Sequence, residues 1–191
     1  MIVCAMAREL RDGRIFAQGI ATPMVAAAYI LAQMTHTPNS LLSFTTGNSF
    51  GLHAAPLGLA WYEEWTLGQA LLRWTFPQVV SELLPTLPIT EFFRPAQVDR
   101  YGRTNNVTIG PCGQPQIRLP GCGGIADTTT YFDDFYLYVP RHSVKVLVEE
   151  IDFVSGTGHG GSTPGPRKLF TDLGVFASLL ARWSWSGCIR A

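Results

Sequence analysis

The sequence lacks an excess of charge of either sign. Its 191 residues include 14 Lys and Arg against 14 Asp and Glu, and charged residues make up only 15% of the chain. Without a positive excess there is no long-range field to attract nucleic acid or an anionic membrane. We therefore expect no nucleic-acid partner.

The first residues do not have the pattern of a membrane anchor. The segment MIVCAMARELRDG, residues 1–13, has no basic stretch followed by a clean apolar run, and its arginines and acids interrupt any span. We expect no membrane association and a cytoplasmic protein.

Metal-binding patterns are also lacking. The cysteines Cys4, Cys112, Cys122 and Cys188 are scattered, without C-x-x-C or Cys/His ligand spacing. This distribution predicts no metal site, and it favours reduced thiols in a cytosolic protein over a disulfide framework.

The composition is that of a globular protein. Apolar residues make up 47% of the chain and aromatic residues 12%, which is enough for one sizeable core. No repeat or linker divides the sequence, so we expect a single domain over residues 1–191. The low charge favours a surface that is buried against a partner.

The first third predicts a strand–helix–strand unit. Arg14–Ile20 has the pattern of a buried strand, Met24–Met34 that of a helix, and Ser40–Phe44 that of a second strand. Thr22 is a suitable N-cap, and Pro23 suits the first helical position. The pattern predicts an α/β fold with an open, mostly parallel sheet and flanking helices.

In such a sheet, ligands bind beyond the carboxyl ends of the strands. Gly19–Pro23 and Thr45–Asn48 follow the two predicted strands, so both segments are candidate site elements.

The rest of the chain gives weaker patterns. Gly51–Arg94 shows no single hydrophobic period, and we expect it to form a lid or a segment that faces another subunit. Further elements are predicted as helices over Leu67–Trp74 and Gln78–Leu84 and strands over Asn106–Ile109, Phe135–Val139 and Val144–Glu149.

The segment RLPGCGGIAD, residues 118–127, has two interpretations. Three close glycines make a tight surface turn, or they let backbone N–H groups approach a ligand as an oxyanion hole or anion-binding nest. A helix that starts directly after the loop favours the second, and we expect its N-cap within Asp127–Thr129.

Four strings together indicate a family. AQVDRYGRTNNVTIG (96–110), RLPGCGGIAD, EEIDFVSGTGH (149–159) and FTDLGVF (170–176) resemble the B (beta) subunit of glutaconate CoA-transferase and related class I CoA-transferases. The resemblance runs from Cys4 to Phe176. Members of the family usually continue beyond the last string with a further strand and a helical segment, so we expect this chain to be short at its C-terminus.

The resemblance implies a class I CoA-transferase (NagB/RpiA-like) fold and a homologous A (alpha) subunit as partner, in a heterodimer or heterotetramer. It implies a coenzyme A thioester as the substrate and no permanently bound cofactor. From the residues themselves, Gln97 and Asn105 are candidate substrate-binding residues, as polar amides around a turn glycine; the other interpretation is that Asp99–Gly102 is only a turn. The oxyanion and acyl-CoA loop is Gly121, Cys122, Gly123, Gly124 and Ile125.

One departure from the family concerns the nucleophile. The family's B subunit supplies a glutamate that attacks the acyl-CoA thioester, and Thr45 stands at its place in Phe44-Thr45-Thr46-Gly47. No Asp or Glu occurs between Asp12 and Glu63. Ordinary CoA transfer by this subunit is therefore not expected.

Relatives in this family decarboxylate a glutaconyl-type CoA ester or hydrolytically open a ring of a steroid-derived CoA ester. We expect such a repurposed reaction, with Thr45, Thr46, Gly47 and Asn48 at the reacting centre and His53 as a candidate general acid or base. Two alternatives stay open: CoA transfer with a nucleophile from elsewhere, and a non-catalytic scaffold subunit.

Overall fold

The structure is a computed structural model that describes residues 1–19, 22–44, 49–54, 61–83, 85–160, 164–179 and 182–188. The chain divides into two compact units, Met1–Phe92 and Phe93–Ala191.

The first unit combines helices with one end of a mixed sheet. Its helices are α1 (Ile2–Ala7), α2 (Pro23–Thr35), α3 (Tyr62–Gly68) and α4 (Phe76–Gln78), which continues into a π-helical segment, Val79–Leu83. Its strands are β1 (Ile15–Gln18), β2 (Leu41–Phe44), β3 (Ser49–Gly51), β4 (Leu72–Arg73) and β5 (Ile89–Phe93). The strand order is β5-β1-β2-β3-β4, parallel from β5 to β2 and antiparallel beyond.

The predicted strand–helix–strand unit is confirmed. β1 and β2 pair in parallel, and α2 connects them with Thr22 as N-cap and Pro23 at the first position. The Thr22 hydroxyl donates to the carbonyl of Gly19 (2.8 Å) and makes no cap bond to the helix. This bond links the start of α2 to the residue that follows β1.

The core of the first unit lies between α2 and the sheet. The rings of Phe16 and Tyr29 stack with centroids 5.1 Å apart, and the Tyr29 hydroxyl donates to the carbonyl of Ala17 (2.7 Å). Both side chains are fully buried. Burial of side chains of this size stabilises the fold by roughly 2 kcal/mol each.

The second unit has its own strands and one helix. They are β6 (Gln97–Val98), β7 (Thr104–Asn105), β8 (Thr108–Ile109), β9 (Ile117–Arg118), α5 (Ile125–Tyr131), β10 (Asp134–Val139), β11 (Lys168–Thr171), β12 (Gly174–Leu179) and β13 (Arg182–Cys188). The order β10-β11-β12-β13 begins parallel and continues antiparallel, while β6-β7 and β8-β9 are separate hairpins.

β10 is the central strand of this unit. All six of its residues are buried, as is typical of a strand that is covered on both faces. The ring of Phe135 contacts that of Phe93 edge-on at 5.8 Å. Arg167 pairs with the buried Asp134 (2.6 Å) and compensates its charge.

The predicted helix over Leu67–Trp74 is wrong. α3 ends at Gly68, and the following chain forms β4, in which Leu72 pairs with Phe50 of β3. The helix ends there because glycine has a high entropic cost within a helix. The N–H of Leu71 donates to the carbonyl of Phe50 (2.7 Å) instead of to a helical carbonyl.

The predicted strand over Val144–Glu149 is also wrong. The N–H groups of Val146 and Leu147 both donate to the carbonyl of Ser143 and make a turn. Only a single bridge to Val98 remains, although the β-branched alternation is typical of a strand.

The strand predicted over Asn106–Ile109 is confirmed only in its second half. Thr108–Ile109 forms β8, whereas Asn106 lies between the two hairpins. The side-chain oxygen of Asn105 accepts the N–H groups of Val107 (2.9 Å) and Thr108 (3.3 Å), so the chain turns before β8 begins.

The described part of the chain contains no helix of the length and apolar character that crossing a bilayer requires. Among the same residues, no cluster of His, Cys, Asp or Glu could hold a metal ion.

Candidate functional site

The glycine loop between β9 and α5 leads directly into a helix. Gly121 and Gly123 have φ of 110° and 48°, which L side chains rarely adopt, and α5 begins at Ile125 with Gly124 as its N-cap. The helix thus starts earlier than the N-cap expected within Asp127–Thr129.

The loop presents consecutive backbone donors. The N–H of Gly121 donates to the carbonyl of Asn106 (2.9 Å), and that of Ile125 donates to Cys122 (2.8 Å). Between them, the amides of Cys122, Gly123 and Gly124 donate to no group in the described part of the chain. Successive amides of this kind suit an oxyanion or a small anion.

Gly124 is not required by the fold. Its φ of −88° is open to any residue, and a β-carbon added there meets no atom within 4 Å. The open space on this side of Gly124 is available to a ligand.

Substitution of Gly123 and of Gly124 should therefore change the stability of the protein by different amounts. Gly123→Ala should lower the unfolding free energy by about 1 kcal/mol because its backbone is left-handed. Gly124→Ala should stay within about 0.5 kcal/mol of wild type, since a poorer N-cap offsets a less flexible unfolded chain. Denaturant unfolding of both variants checks this, and equal losses would contradict the loop conformation.

Gln97 and Asn105 pair across the β6–β7 hairpin. The Asn105 amide donates to the Gln97 side-chain oxygen (2.6 Å) and to the carbonyl of Thr108 (2.6 Å), and both side chains are buried. Gln97 donates in turn to Asp152 (2.7 Å). These bonds give the two amides a structural role, and their contact with substrate stays a prediction.

The turn between β6 and β7 is organised by Asp99. Its buried carboxylate accepts hydrogen bonds from the backbones of Tyr101 (2.9 Å) and Arg103 (3.0 Å) and pairs with the Arg103 guanidinium (2.6 Å). The Asp-Arg-Tyr-Gly string therefore fixes the turn of the β6–β7 hairpin.

A cleft of about 460 Å³ opens beside the glycine loop. Its lining includes Gly121, Asn106 and two exposed arginines, Arg94 and Arg141, which follow β5 and β10 within two residues. This volume suits a small ligand, and guanidinium groups bind carboxylates and phosphates. Neither arginine was predicted from the sequence. The signal that could have found them is that each arginine stands beside a proline just after an apolar strand.

The other predicted site residues belong to the first unit or fall outside the described ranges. Thr45, Thr46, Gly47 and Asn48 fall outside the described residues. His53 is an exposed residue of the first unit, two positions after β3.

A buried acid, Glu91, was also not predicted from the sequence. It lies on β5, is 8% exposed and is in register with Ala17 of β1. Burial raises the pKa of its carboxyl group to about 8. The sequence signal for this residue was a single acid within an otherwise uncharged strand. That signal does not reveal its burial, which depends on tertiary packing.

The chain is similar to the B subunits of two CoA-transferases, although no protein-family model matches it. It is 30% identical over 197 residues to the B subunit of the 3-oxoadipate CoA-transferase of Pseudomonas knackmussii, spanning 91% of this chain and 69% of that protein. It is 22% identical to the B subunit of the glutaconate CoA-transferase of Acidaminococcus fermentans, spanning 92% and 70%.

Two further relatives have other activities in their names. A stretch of 88 residues, 42% of this chain and 35% of the relative, is 33% identical to the IpdB subunit of the cholesterol ring-cleaving hydrolase of Mycobacterium bovis. A chain of the solved decarboxylase AibA/AibB is 27% identical with a TM-score of 0.78, covering 95% of this chain and 73% of that one.

These findings confirm the α/β fold and the resemblance carried by the four sequence strings. With 30% identity across more than two thirds of a curated B subunit, the chain belongs to the family of CoA-transferase B subunits.

Proposed function

We propose that this chain is the B subunit of a two-subunit enzyme that acts on an acyl-CoA thioester by decarboxylation or C–C hydrolysis. The resemblance supports this choice of reaction, because it puts Thr45 at the position where the family has its nucleophilic glutamate. A threonine hydroxyl does not form the acyl anhydride that CoA transfer needs.

The relatives support this choice. The AibA/AibB decarboxylase and the ring-cleaving hydrolase with an IpdB subunit keep the scaffold and have names that describe reactions other than CoA transfer. Their names also describe subunits of assemblies, which supports a homologous A subunit as the partner of this chain.

Each proposed reaction develops negative charge on the thioester oxygen. The amides of Cys122, Gly123 and Gly124 would bind that oxygen, and one such donor typically contributes roughly 10²- to 10³-fold to the rate. Arg94 and Arg141 would hold an anionic part of the substrate, either its free carboxylate or a phosphate of coenzyme A. Thr45, Thr46 and Asn48 would supply further hydrogen bonds.

The test uses the chain reconstituted with its A subunit and a panel of CoA esters that carry a second carboxylate or a ring ketone. Gly124→Ala should reduce kcat at least about tenfold because the β-carbon enters the ligand space. Thr45→Ala should reduce it by about tenfold through a lost hydrogen bond. Gly113→Ala, on an exposed turn with open space around it, should turn over like wild type.

If both site variants turn over like wild type, this chain is a non-catalytic scaffold and the site assignment fails. Thermal unfolding of each variant separates loss of function from loss of fold.

CoA transfer is the second candidate, favoured by the 30% identity to a 3-oxoadipate CoA-transferase subunit. It would need a nucleophile from elsewhere, for example from the partner subunit. Hydroxylamine or borohydride added after the acyl-CoA modifies a glutamate in a true transferase. A modified glutamate on either chain would support transfer, and two unmodified chains would exclude it.

A further inference from the structure

Glu91 extends toward the carboxyl ends of the parallel strands of the first unit. It is in register with Ala17 of β1, and Ala17 is in register with Ser43 of β2, so the three side chains share one face of the sheet. One oxygen of the Glu91 carboxyl lies 3.9 Å from the position that a β-carbon on Gly19 would take. Gly19 is the first residue after β1, at the edge where ligands of such sheets bind.

The carboxyl group of Glu91 has no partner among the described residues. It makes no hydrogen bond or ion pair with any of them, although the side chain is more than nine-tenths buried. Burying an acid without a partner destabilises a fold. A buried carboxyl group in this position is therefore suited to a ligand.

The neighbouring elements of the first unit bring no compensating charge to Glu91. β1, β2 and α2 contain no charged residue, and their one titratable side chain, Tyr29, donates to the carbonyl of Ala17. Arg14, just before β1, is engaged with Thr90 and Ile89.

We propose that Glu91 is a catalytic residue of this chain, the proton donor to the carbanion that C–C cleavage leaves on the acyl-CoA. This inference deepens the proposed function and rests on it. The position favours it, because the Glu91 carboxyl reaches the residue that follows β1, at the edge of the sheet where ligands bind.

In a decarboxylation, the bond to the substrate carboxylate breaks, CO₂ leaves, and the electron pair is delocalised into the thioester carbonyl as an enolate. The substrate carbon takes the proton of the Glu91 carboxyl, and the resulting Glu91 carboxylate regains a proton from water. In C–C hydrolysis, water adds to the ring ketone, the C–C bond to the carbon beside the thioester breaks, and the ketone carbon becomes a carboxylate that releases one proton to solvent. The electron pair of the broken bond forms the same enolate, which takes the proton of the Glu91 carboxyl.

Burial prepares Glu91 for this role. It keeps the carboxyl protonated at neutral pH, because its pKa is raised to about 8. An acid whose pKa lies near the working pH is an effective proton donor.

The test measures turnover of the reconstituted pair with the CoA ester that wild type converts. Glu91→Gln keeps the shape and a hydrogen-bond donor but cannot release a proton, and Glu91→Leu removes both. Each should lower kcat at least about 100-fold with KM changed less than about threefold. The control, Glu64→Gln on the exposed face of α3, should keep the wild-type rate.

The pH profile separates a chemical role from a structural one. Wild-type kcat should fall as the pH rises above about 8, whereas the residual rate of Glu91→Gln should lack that fall. If the variants retain wild-type kcat, or keep the same alkaline fall, Glu91 is not the donor while the proposed function stands. If wild type converts no ester at all, the proposed function fails and the inference fails with it.

Discussion

When the pH is raised from 5 to 8.5, the unfolding free energy of the wild-type protein should fall by on the order of 4 kcal/mol more than that of the Glu91→Gln variant. The ordinary pKa of a glutamate is 4.5, and burial raises that of Glu91 to about 8 in the folded chain. Across this window the folded state keeps a proton that the unfolded state has released. The contribution of Glu91 is therefore fully present below pH 4.5 and is lost as the pH rises through 8.

Urea unfolding of both proteins at several pH values measures this difference, and comparison with the variant cancels the other titrating groups. Glu64→Gln removes an exposed carboxyl and controls for the loss of one negative charge. Parallel stability curves for wild type and Glu91→Gln would contradict the burial of the acid.

Gly158→Ala should lower stability by about 3 kcal/mol, which for a chain of this length lowers Tm by roughly 6–12 °C. A β-carbon on Gly158 would lie 2.6 Å from the backbone nitrogen of Arg103 and clash with the carbonyl oxygen of Tyr101. These atoms belong to the turn that the Asp99 carboxylate holds in place, so the turn cannot yield without breaking buried hydrogen bonds.

Gly113→Ala is the matched control, because its β-carbon meets no atom within 4 Å and its turn is exposed. Its Tm should change by less than about 2 °C. If Gly158→Ala were as stable as this control, the close packing of the 156–160 segment against the β6–β7 turn would be wrong.

Parts of the fold that depend on local chemistry could be predicted from the sequence. Thr22 and Pro23 favour the start of a helix directly after a strand, so β1, α2 and β2 were found within two residues at each end. The glycine loop was found for a similar reason, since Gly121 and Gly123 adopt backbone conformations that other residues avoid.

Other parts depend on contacts distant in sequence. Val144–Glu149 has a strand pattern, but Ser143 captures the amides that a strand would have used. Gln97 and Asn105 were predicted to bind substrate as two polar amides around a turn glycine, and only the pairing of β6 with β7 reveals that they also bind each other. Glu91 is an ordinary strand residue in the sequence, and its burial becomes visible only once β5 lies beside β1.

We expect this subunit to take part in cleavage of an acyl-CoA without passing coenzyme A to another acid. The most direct test incubates the reconstituted pair with a dicarboxylic or ring-ketone CoA ester in the absence of any acceptor carboxylic acid, and identifies the CoA products by mass spectrometry. The expected product is a CoA ester that has lost CO₂ or gained water. Conversion that occurs only when an acceptor acid is added, with coenzyme A found on that acid, would contradict this expectation.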